Sequence, residues 1–330
     1  MFSMKKLLFY LFLFISFTAF SQIDYSDSWE DFYSYNNVKD FVKVDNILYA
    51  LADNAVFKYD ENTKAIEKFS SIQGLSGGTT SSIHFNKSFN RLIIGYENGL
   101  IEVIDENGGI TISSDIVNFN QFGEKRINHI SEFGSTLYLS TPFAIVEYDI
   151  ENLEFGDTFF IGNQSTSLNI NKSITVNDII YAVTEDGIFN ADVNSNLLID
   201  FNNWNQLFSG RNFSNIATFN NRLFVTENSN LYELDNGALN LIQNFSEPII
   251  NLKASSTNLL VSLNKSARVF DSSLNELPQF GITTDFDFTL SGAFFENNII
   301  YLSTQEFGIL RGSSIIWNMV ILGFSELTGS

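Results

Sequence analysis

Three side chains of this sequence have the chemistry of a metal site: Asp40, His84 and His129, the last two being the only histidines of the chain. Asp40 and His129 each lie nine residues before a tyrosine of a repeated segment. His84 lies nine residues before Ile93, one residue away from the equivalent position of its own segment. Imidazole and carboxylate ligands together suit zinc or a similar ion. The spacing therefore predicts a metal site across three neighbouring repeats or, alternatively, a hydrated channel wall.

The other repeats add mainly polar residues at the same spacing, namely Lys172, Asn215, Asn251 and Gly292. A lysine in this ring would repel a metal cation. Polar groups that satisfy one another and bound water would form a channel without any ligand. We expect no organic cofactor.

Catalytic patterns are weak in this chain. The sequence has no cysteine and no Gly-x-Ser-x-Gly segment, so it shows no pattern for nucleophilic catalysis. The glycine-rich stretch QGLSGG (73–78) is not followed by Gly-Lys-Ser/Thr, which indicates a turn and not a phosphate-binding loop. The acidic pairs Glu30-Asp31 and Glu185-Asp186 would serve a glycosidase only if their loops converged. We predict that the protein is not an enzyme.

An aromatic cluster near the N-terminus is the best binding candidate. Trp29, Phe32, Tyr33 and Tyr35 occur within seven residues. Strand alternation would turn some of these rings outward, where they could seat a partner protein or a sugar. The alternative is ordinary packing between repeats.

The elements that position these residues are short hairpins. The segment IIYAVTEDGIFNAD (179–192) has two apolar patches around an Asp-Gly turn, and six similar segments occur along the chain. Their anchor residues, Tyr49, Ile94, Tyr138, Tyr181, Phe224, Leu260 and Tyr301, are spaced by 45, 44, 43, 43, 36 and 41 residues. A repeat of this length made of strands and turns predicts an all-β fold, a single seven-bladed β-propeller with four-stranded blades.

Each hairpin supplies two strands of a blade, and we expect the other two from the segments before the anchor. The innermost strands are predicted at 37–44, 126–133 and 212–219. Trp29 and Trp204 each lie 20 residues before an anchor, which places both on an equivalent outer strand.

Closure of the ring has two interpretations. If the strand around Trp29 completes the seventh blade, the propeller spans residues 22–313. Residues 314–330 would then contain a surplus strand at 314–322, the start of a truncated second domain. Alternatively, 314–322 itself closes the seventh blade and the N-terminal strand lies outside the ring.

Residues 1–21 read as a secretory signal peptide, with Lys5 and Lys6 before an apolar run and small residues before Gln22. The run ends well short of the roughly 20 apolar residues that a membrane span requires. We therefore predict an exported protein, in the periplasm or at the cell surface, with no transmembrane span after cleavage. Its formal net charge of −20 disfavours nucleic acid as a partner, because phosphate recognition depends on lysine and arginine.

Two segments carry a family resemblance. In SSIQGLSGGTTSSIHFNKSFNRLIIGYENGLIEVID (70–105), a Gly-Leu turn precedes an inner strand and an apolar-Gly-Leu hairpin follows, which resembles the regulator-type propeller repeat. Together with the lead-in SDSWEDFYSYNNVKDF (26–41), it resembles the N-terminal propellers of the PorZ family of type IX secretion accessory proteins. The resemblance runs from about Trp29 to Arg311.

The resemblance implies a non-catalytic, protein-binding role in a cell-surface complex that attaches secreted cargo and supplies lipopolysaccharide to its sortase. Such proteins carry a second propeller and a C-terminal secretion domain, so we expect this chain to be a truncated form. Its acidic charge disfavours direct capture of an anionic lipopolysaccharide unless a divalent cation bridges the two. Two other functions stay open: the ligand-sensing propeller of a hybrid two-component receptor, and a carbohydrate-active enzyme that binds a glycan.

Overall fold

The protein folds into seven four-stranded antiparallel sheets, as seen in a computed structural model that describes residues 33–278, 282–283, 288–313 and 320–322. Each sheet is one blade, and its strands follow chain order from the first to the fourth position. The predicted seven-bladed propeller is therefore confirmed.

The strands of blades 1 to 4 are β1 (Val38–Val44), β2 (Ile47–Ala52), β3 (Val56–Asp60), β4 (Ile66–Phe69), β5 (Thr80–Asn86), β6 (Arg91–Tyr96), β7 (Ile101–Ile104), β8 (Ile110–Ser113), β9 (His129–Phe133), β10 (Thr136–Ser140), β11 (Ile145–Asp149), β12 (Glu154–Phe159), β13 (Ile170–Val176), β14 (Ile179–Thr184), β15 (Gly187–Asp192) and β16 (Asn205–Leu207). Those of blades 5 to 7 are β17 (Asn215–Phe219), β18 (Arg222–Glu227), β19 (Asn230–Asp235), β20 (Ala238–Asn244), β21 (Asn251–Ala254), β22 (Leu259–Ser262), β23 (Ser266–Phe270), β24 (Ile282–Thr283), β25 (Leu290–Glu296), β26 (Ile299–Thr304), β27 (Ile309–Ser313) and β28 (Val320–Leu322).

Helical structure in the described residues amounts to single turns. These are α1 (Asp115–Asn118) and three 3-10 turns at Ser71–Gln73, Asn163–Ser165 and Phe201–Asn203.

The first strand of every blade lies innermost. Each of these strands contacts the first strands of the neighbouring blades, and β25 of blade 7 contacts β1 of blade 1, so the seven strands surround a central channel. The inner strands predicted at 37–44, 126–133 and 212–219 correspond to β1, β9 and β17 and are confirmed. The prediction that two strands precede each hairpin is wrong, because an antiparallel meander continues from the third strand into a fourth that follows the hairpin.

Blade 7 is completed by the C-terminal segment. β28 pairs with β27 through Arg311 and Val320, so the expectation of a surplus strand at 314–322 is wrong for Val320–Leu322. Val320–Leu322 is the fourth strand of blade 7, which agrees with the alternative interpretation for this part of 314–322. The strand expected around Trp29 lies outside the described residues.

The junction between blades 7 and 1 combines apolar packing with charges. Tyr35, Val38 and Phe41 pack in one cluster with Tyr301 and Ile309 of blade 7. Beside this cluster, the Lys43 ammonium lies 2.8 Å from Glu296, and the Tyr301 hydroxyl donates to Glu61 at 2.6 Å.

A repeated side-chain hydrogen bond also joins neighbouring blades. In four blades the inner strand has a β-bulge, and the side chain of the bulged residue donates to a backbone carbonyl of the next blade. Asn128, just before β9, makes the same bond. The five bonds are Lys39 to Thr80, Ser81 to Ile127, Asn128 to Ile170, Asn171 to Phe213 and Ser291 to Val38. Blade 6 has Ile250 at this position, which has no side-chain donor, and Ser214 of blade 5 contacts Thr226 instead.

We expect that Asn171→Ala lowers the free energy of unfolding by about 1 to 2 kcal/mol, because it removes the 2.7 Å bond to the Phe213 carbonyl and leaves that group unpaired. Equilibrium urea unfolding measures the change. Asn194→Ala is the control, because Asn194 is exposed and, among the residues that the structure describes, donates only through its backbone, to Asp192. Equal effects of the two substitutions would show that the bond does not hold blades 4 and 5 together.

Candidate functional site

The channel contains most of the predicted polar ring. Asp40, His129 and Lys172 each lie on an inner strand and pair with the residue two positions after the anchor of the second strand. In blade 2 the residue that follows the β-bulge, as Asp40 and Lys172 do in their strands, is Ser82, which pairs with Gly95, whereas His84 pairs with Ile93. The cause is the loop 87–90 between β5 and β6, which has two residues more than the corresponding loop 45–46. His84 therefore lies two residues along the strand from the level of the other two ligand candidates.

Two of the three proposed metal ligands have other side-chain partners. Asp40 accepts from the Lys253 ammonium of blade 6 and, at 2.8 Å, from the Phe41 backbone amide. The Nε2 atom of His84 lies 2.9 Å from Glu132, and this hydrogen bond is the main cause of the lowered pKa of Glu132. Within the described ranges, no three His, Asp or Glu side chains form a group that could hold a metal ion. The structure does not bring Asp40, His84 and His129 together as a ligand set.

His129 is the third candidate and has a different environment. It forms a hydrogen bond with the backbone of Ser173, while its Nδ1 atom is buried and has no partner among the described atoms. Burial, and next the charge of Lys172, hold the pKa of His129 well below its usual range. The imidazole is therefore neutral at neutral pH.

Lys172 extends across the channel from blade 4 to blade 6. Its ammonium donates to the Asn251 side-chain oxygen at 3.0 Å. Burial lowers the pKa of Lys172 to about 8, with Asp40 acting in the opposite direction and Lys253 adding to the decrease. A partly desolvated cation with a neutral partner lies at the centre of the channel.

The predicted aromatic cluster near the N-terminus does not form an exposed surface in the part that the structure describes. Tyr35 is 6% exposed and packs edge-on against Phe57 at 6.1 Å between ring centroids, so it is a core residue. Tyr33 is half-buried, and its hydroxyl lies 3.1 Å from the Ser71 hydroxyl. Both tyrosines follow the packing alternative. Trp29 and Phe32 lie outside the described residues.

An aromatic surface that the sequence interpretation missed lies at blade 3. Phe119 stacks on Phe143 and Phe160 at centroid distances of 6.0 and 6.4 Å, and it is 40% exposed. Phe122, in the same connection between β8 and β9, is 94% exposed. We call Phe119, Phe122 and the half-buried Phe160 the aromatic loop surface, and the buried Phe143 supports it by stacking on Phe119. Its sequence signal is NFNQF (118–122), two phenylalanines among amides outside any strand pattern.

The acidic pair Glu185-Asp186 forms the tight turn between β14 and β15. The Asp186 carboxylate accepts from the Ser209 hydroxyl at 3.1 Å and from the Gly210 amide, and the Gly210 bond is the main cause of its lowered pKa. Asp186 therefore fastens the neighbouring loop, which is a structural role for this carboxylate.

The comparisons with known proteins agree with the resemblance in the sequence. Residues 48–205 match the family model of the N-terminal β-propeller domain of PorZ from the type IX secretion system. The structure is similar to that of PorZ from Porphyromonas gingivalis, described as an essential bacterial surface component of the type IX secretion system, with a TM-score of 0.75 and 16% identity over 91% of this chain. The chain spans 39% of the length of that PorZ chain.

Other propellers are similar in fold alone. The extracellular domain of the putative hybrid two-component system BT4673 from B. thetaiotaomicron matches with a TM-score of 0.63 and 14% identity, over 84% of this chain and 38% of that one. The WD40 propeller of Doa1 matches with a TM-score of 0.65 and 9% identity, over 84% of this chain and 92% of that one. No curated protein matches the sequence.

Among the described residues, no helix has the length and apolar character of a membrane span.

Proposed function

We propose that this chain is an exported, non-catalytic propeller that binds a protein component of a type IX secretion complex at the cell surface. The observation that carries the proposal is the match of residues 48–205 to the PorZ N-terminal propeller, because the aromatic loop surface lies inside that segment. The identity to PorZ is 16%, so the proposal is supported by the match to the family model, the fold and this one surface.

The aromatic loop surface has the properties of a protein contact. Phe122 leaves nearly its whole side chain in water and lies three residues after Phe119, whose ring stacks on Phe143 and Phe160. Burying one phenylalanine in a partner's pocket contributes about 1.5 to 3 kcal/mol. Aromatic anchors of this kind supply much of the binding energy of protein interfaces.

The role in the complex that we propose is support for attachment of secreted cargo and for lipopolysaccharide delivery to the sortase. The chain's charge of −20 favours an indirect role in delivery, through a bound protein or a bridging divalent cation. The net negative charge of the chain would also repel an anionic glycan.

Phe122→Ser tests the proposal in the bacterium that produces the chain. We expect binding to the partner to weaken about tenfold or more, so that type IX cargo is released into the medium instead of staying at the surface. The measurement is the ratio of surface-attached to released cargo at equal cellular levels of the propeller. Leu241→Ser is the matched control, since Leu241 is 57% exposed on the outer strand of blade 5. Normal attachment in the Phe122→Ser strain would contradict the proposal.

The sensor function remains the second candidate, supported by the similarity to the BT4673 extracellular domain. It predicts a different phenotype. Deleting a sensor propeller would abolish a transcriptional response to its ligand and leave cargo attachment intact, whereas deleting an attachment module would change attachment first.

A further inference from the structure

Three asparagines of the chain are followed directly by glycine, in the pairs Asn98-Gly99, Asn107-Gly108 and Asn236-Gly237. In such a pair the backbone nitrogen of the glycine can attack the asparagine side chain, because glycine has no Cβ atom that obstructs the approach. Each pair lies in a turn between two strands. A glycine N–H that is held in a hydrogen bond must first be released from it, so the fold decides which pair is free to react.

Asn98-Gly99, between β6 and β7, is held most firmly. Gly99 is buried, and its amide donates to the Tyr96 carbonyl at 3.1 Å. A Cβ atom at Gly99 would lie 2.5 Å from the Ile116 side chain, so the turn is packed tightly against α1. The Asn98 side-chain oxygen also accepts from the Leu100 amide at 3.1 Å, which fixes the group that would have to be attacked.

Asn107-Gly108, between β7 and β8, is exposed but still bonded. No described atom lies within 4 Å of the position that a Cβ atom of Gly108 would take. The Gly108 amide nevertheless donates to the Asp105 carbonyl at 3.1 Å, and the Asn107 amide donates to the Asp105 carboxylate at 2.8 Å. This turn has room to rearrange, but the attacking nitrogen is occupied.

Asn236-Gly237 forms the tip of the hairpin between β19 and β20 and is the least constrained pair. Both residues are exposed, and their φ angles of +48° and +77° are those of a two-residue turn closed by the pairing of Asp235 with Ala238. The Gly237 amide has no partner among the described atoms. The Asn236 side-chain nitrogen donates to Asp235 at 2.9 Å, in a contact that lies in water.

We propose that Asn236 is a site of spontaneous deamidation, at which the folded chain is modified ahead of Asn107 and Asn98. The Gly237 nitrogen attacks Cγ of Asn236, so that a new N–Cγ bond forms and the Cγ–Nδ2 bond breaks. The proton of the Gly237 amide leaves with the side-chain nitrogen as ammonia. A water molecule then opens the resulting succinimide ring: cleavage at Cγ gives aspartate, and cleavage at the backbone carbonyl carbon gives isoaspartate.

Either product changes the hairpin. The new carboxylate adds a negative charge beside Asp235, whose own charge already acts on Arg222 of the preceding strand. Isoaspartate also lengthens the backbone of the turn by one methylene group, which strains the pairing of Asp235 with Ala238. The outer strand β20 begins at this pair, so the modification acts on the edge of blade 5.

Peptide mapping by mass spectrometry tests the proposal on the purified chain, incubated at pH 8 in water enriched in oxygen-18. Ring opening incorporates a solvent oxygen atom, so product formed during the incubation is distinguished from product formed during later digestion. In the folded chain we expect Asn236 to react about twofold to tenfold faster than Asn107, the factor that release of one backbone hydrogen bond contributes. Asn98 should react most slowly.

A parallel sample unfolded in guanidinium chloride is the control for local sequence, because it removes the turns and should bring the three rates together. Asn236→Gln should eliminate the product at this position and leave the rates at Asn107 and Asn98 unchanged.

The proposal is overturned if Asn107 or Asn98 reacts as fast as Asn236 in the folded chain. The same order of rates in the folded and unfolded samples would assign that order to neighbouring residues and also overturn it. Absence of isoaspartate at position 236 would show that the Gly237 nitrogen does not attack, with the same consequence.

Discussion

Replacing Gly187 with alanine is expected to destabilise the propeller by about 3 to 5 kcal/mol, the largest effect of a single methyl group in blade 4. Gly187 follows the Glu185-Asp186 turn with a φ of +96°, a conformation that residues with a side chain rarely adopt. A Cβ atom there would lie 2.4 Å from the Leu207 carbonyl oxygen and 3.1 Å from that of Phe208. These neighbours are backbone atoms of the outer strand and its loop, so the strand itself would have to move.

Guanidinium unfolding followed by tryptophan fluorescence measures the effect, since Trp204 is buried next to the outer strand of the same blade. Gly108→Ala is the matched control. Gly108 has a φ of +82°, but no described atom lies within 4 Å of the position that an alanine Cβ would take, so this substitution reports the backbone cost alone. If Gly187→Ala and Gly108→Ala lower the free energy of unfolding by the same amount, the Leu207 carbonyl does not resist the added Cβ atom. The larger effect expected at Gly187 would then be wrong.

The hairpin around Gly187 shows how far sequence reasoning extends. Its Asp-Gly pair predicts a tight turn, because such turns need positive φ, and the structure has that turn. The sequence does not show that the Asp186 carboxylate holds the loop at Ser209 and Gly210, 23 and 24 residues later. The Asp-Gly pair alone determines the turn. The hydrogen bonds that Asp186 accepts from Ser209 and Gly210 depend on the tertiary structure of the blade.

The outer strands were the least predictable elements. β16, β24 and β28 have three, two and three residues, too few for an alternating apolar pattern. The second and third strands, such as β14 and β15, have six residues each and are mostly buried. Their apolar pattern is therefore long enough to be recognised as a repeat in the sequence. The count of blades therefore followed from the sequence, while the order of the outer strands and the closure of blade 7 did not.

The spacing that predicted a metal site in the channel does not place His84 at the level of Asp40 and His129. Spacing from an anchor places a residue correctly only if the paired positions of the first two strands are equally far apart in every blade. Ser82 and Gly95 of blade 2 are 13 positions apart, whereas Asp40 and Leu51 of blade 1 are 11 apart, so His84 is displaced from the ring. The ion pair of Lys253 with Asp40 joins blades 6 and 1, and the two residues are 213 positions apart in the chain. Such contacts depend on ring closure, and no local pattern in the sequence indicates them.

The Gly-Leu turn that carries the family resemblance is fastened by a buried carboxylate. Glu102 is fully buried in blade 2, where it accepts from the Tyr96 hydroxyl and, at 2.8 Å, from the Ser76 amide. Burial, followed by the hydrogen bond to Glu102, raises the pKa of Tyr96, so the hydroxyl stays protonated and remains a donor. The carboxylate thus ties the second and third strands of the blade to the loop that precedes its first strand.

Tyr96→Phe is therefore expected to lower the free energy of unfolding by about 1.5 to 3 kcal/mol, because it removes a donor from a buried charge without changing the packing of the ring. Urea unfolding gives the global change, and native-state hydrogen exchange at the Ser76 amide reports the loop locally. Tyr59→Phe is the control: Tyr59 is 7% exposed, and its hydroxyl has no hydrogen bond among the described residues. Faster exchange at Ser76 with little global change would mean that the bond holds the loop alone. No change in either measurement would show that Glu102 is satisfied without Tyr96, and the Gly-Leu turn would then owe its shape to Gly74, with a φ of +107°, and to the Ser70 cap.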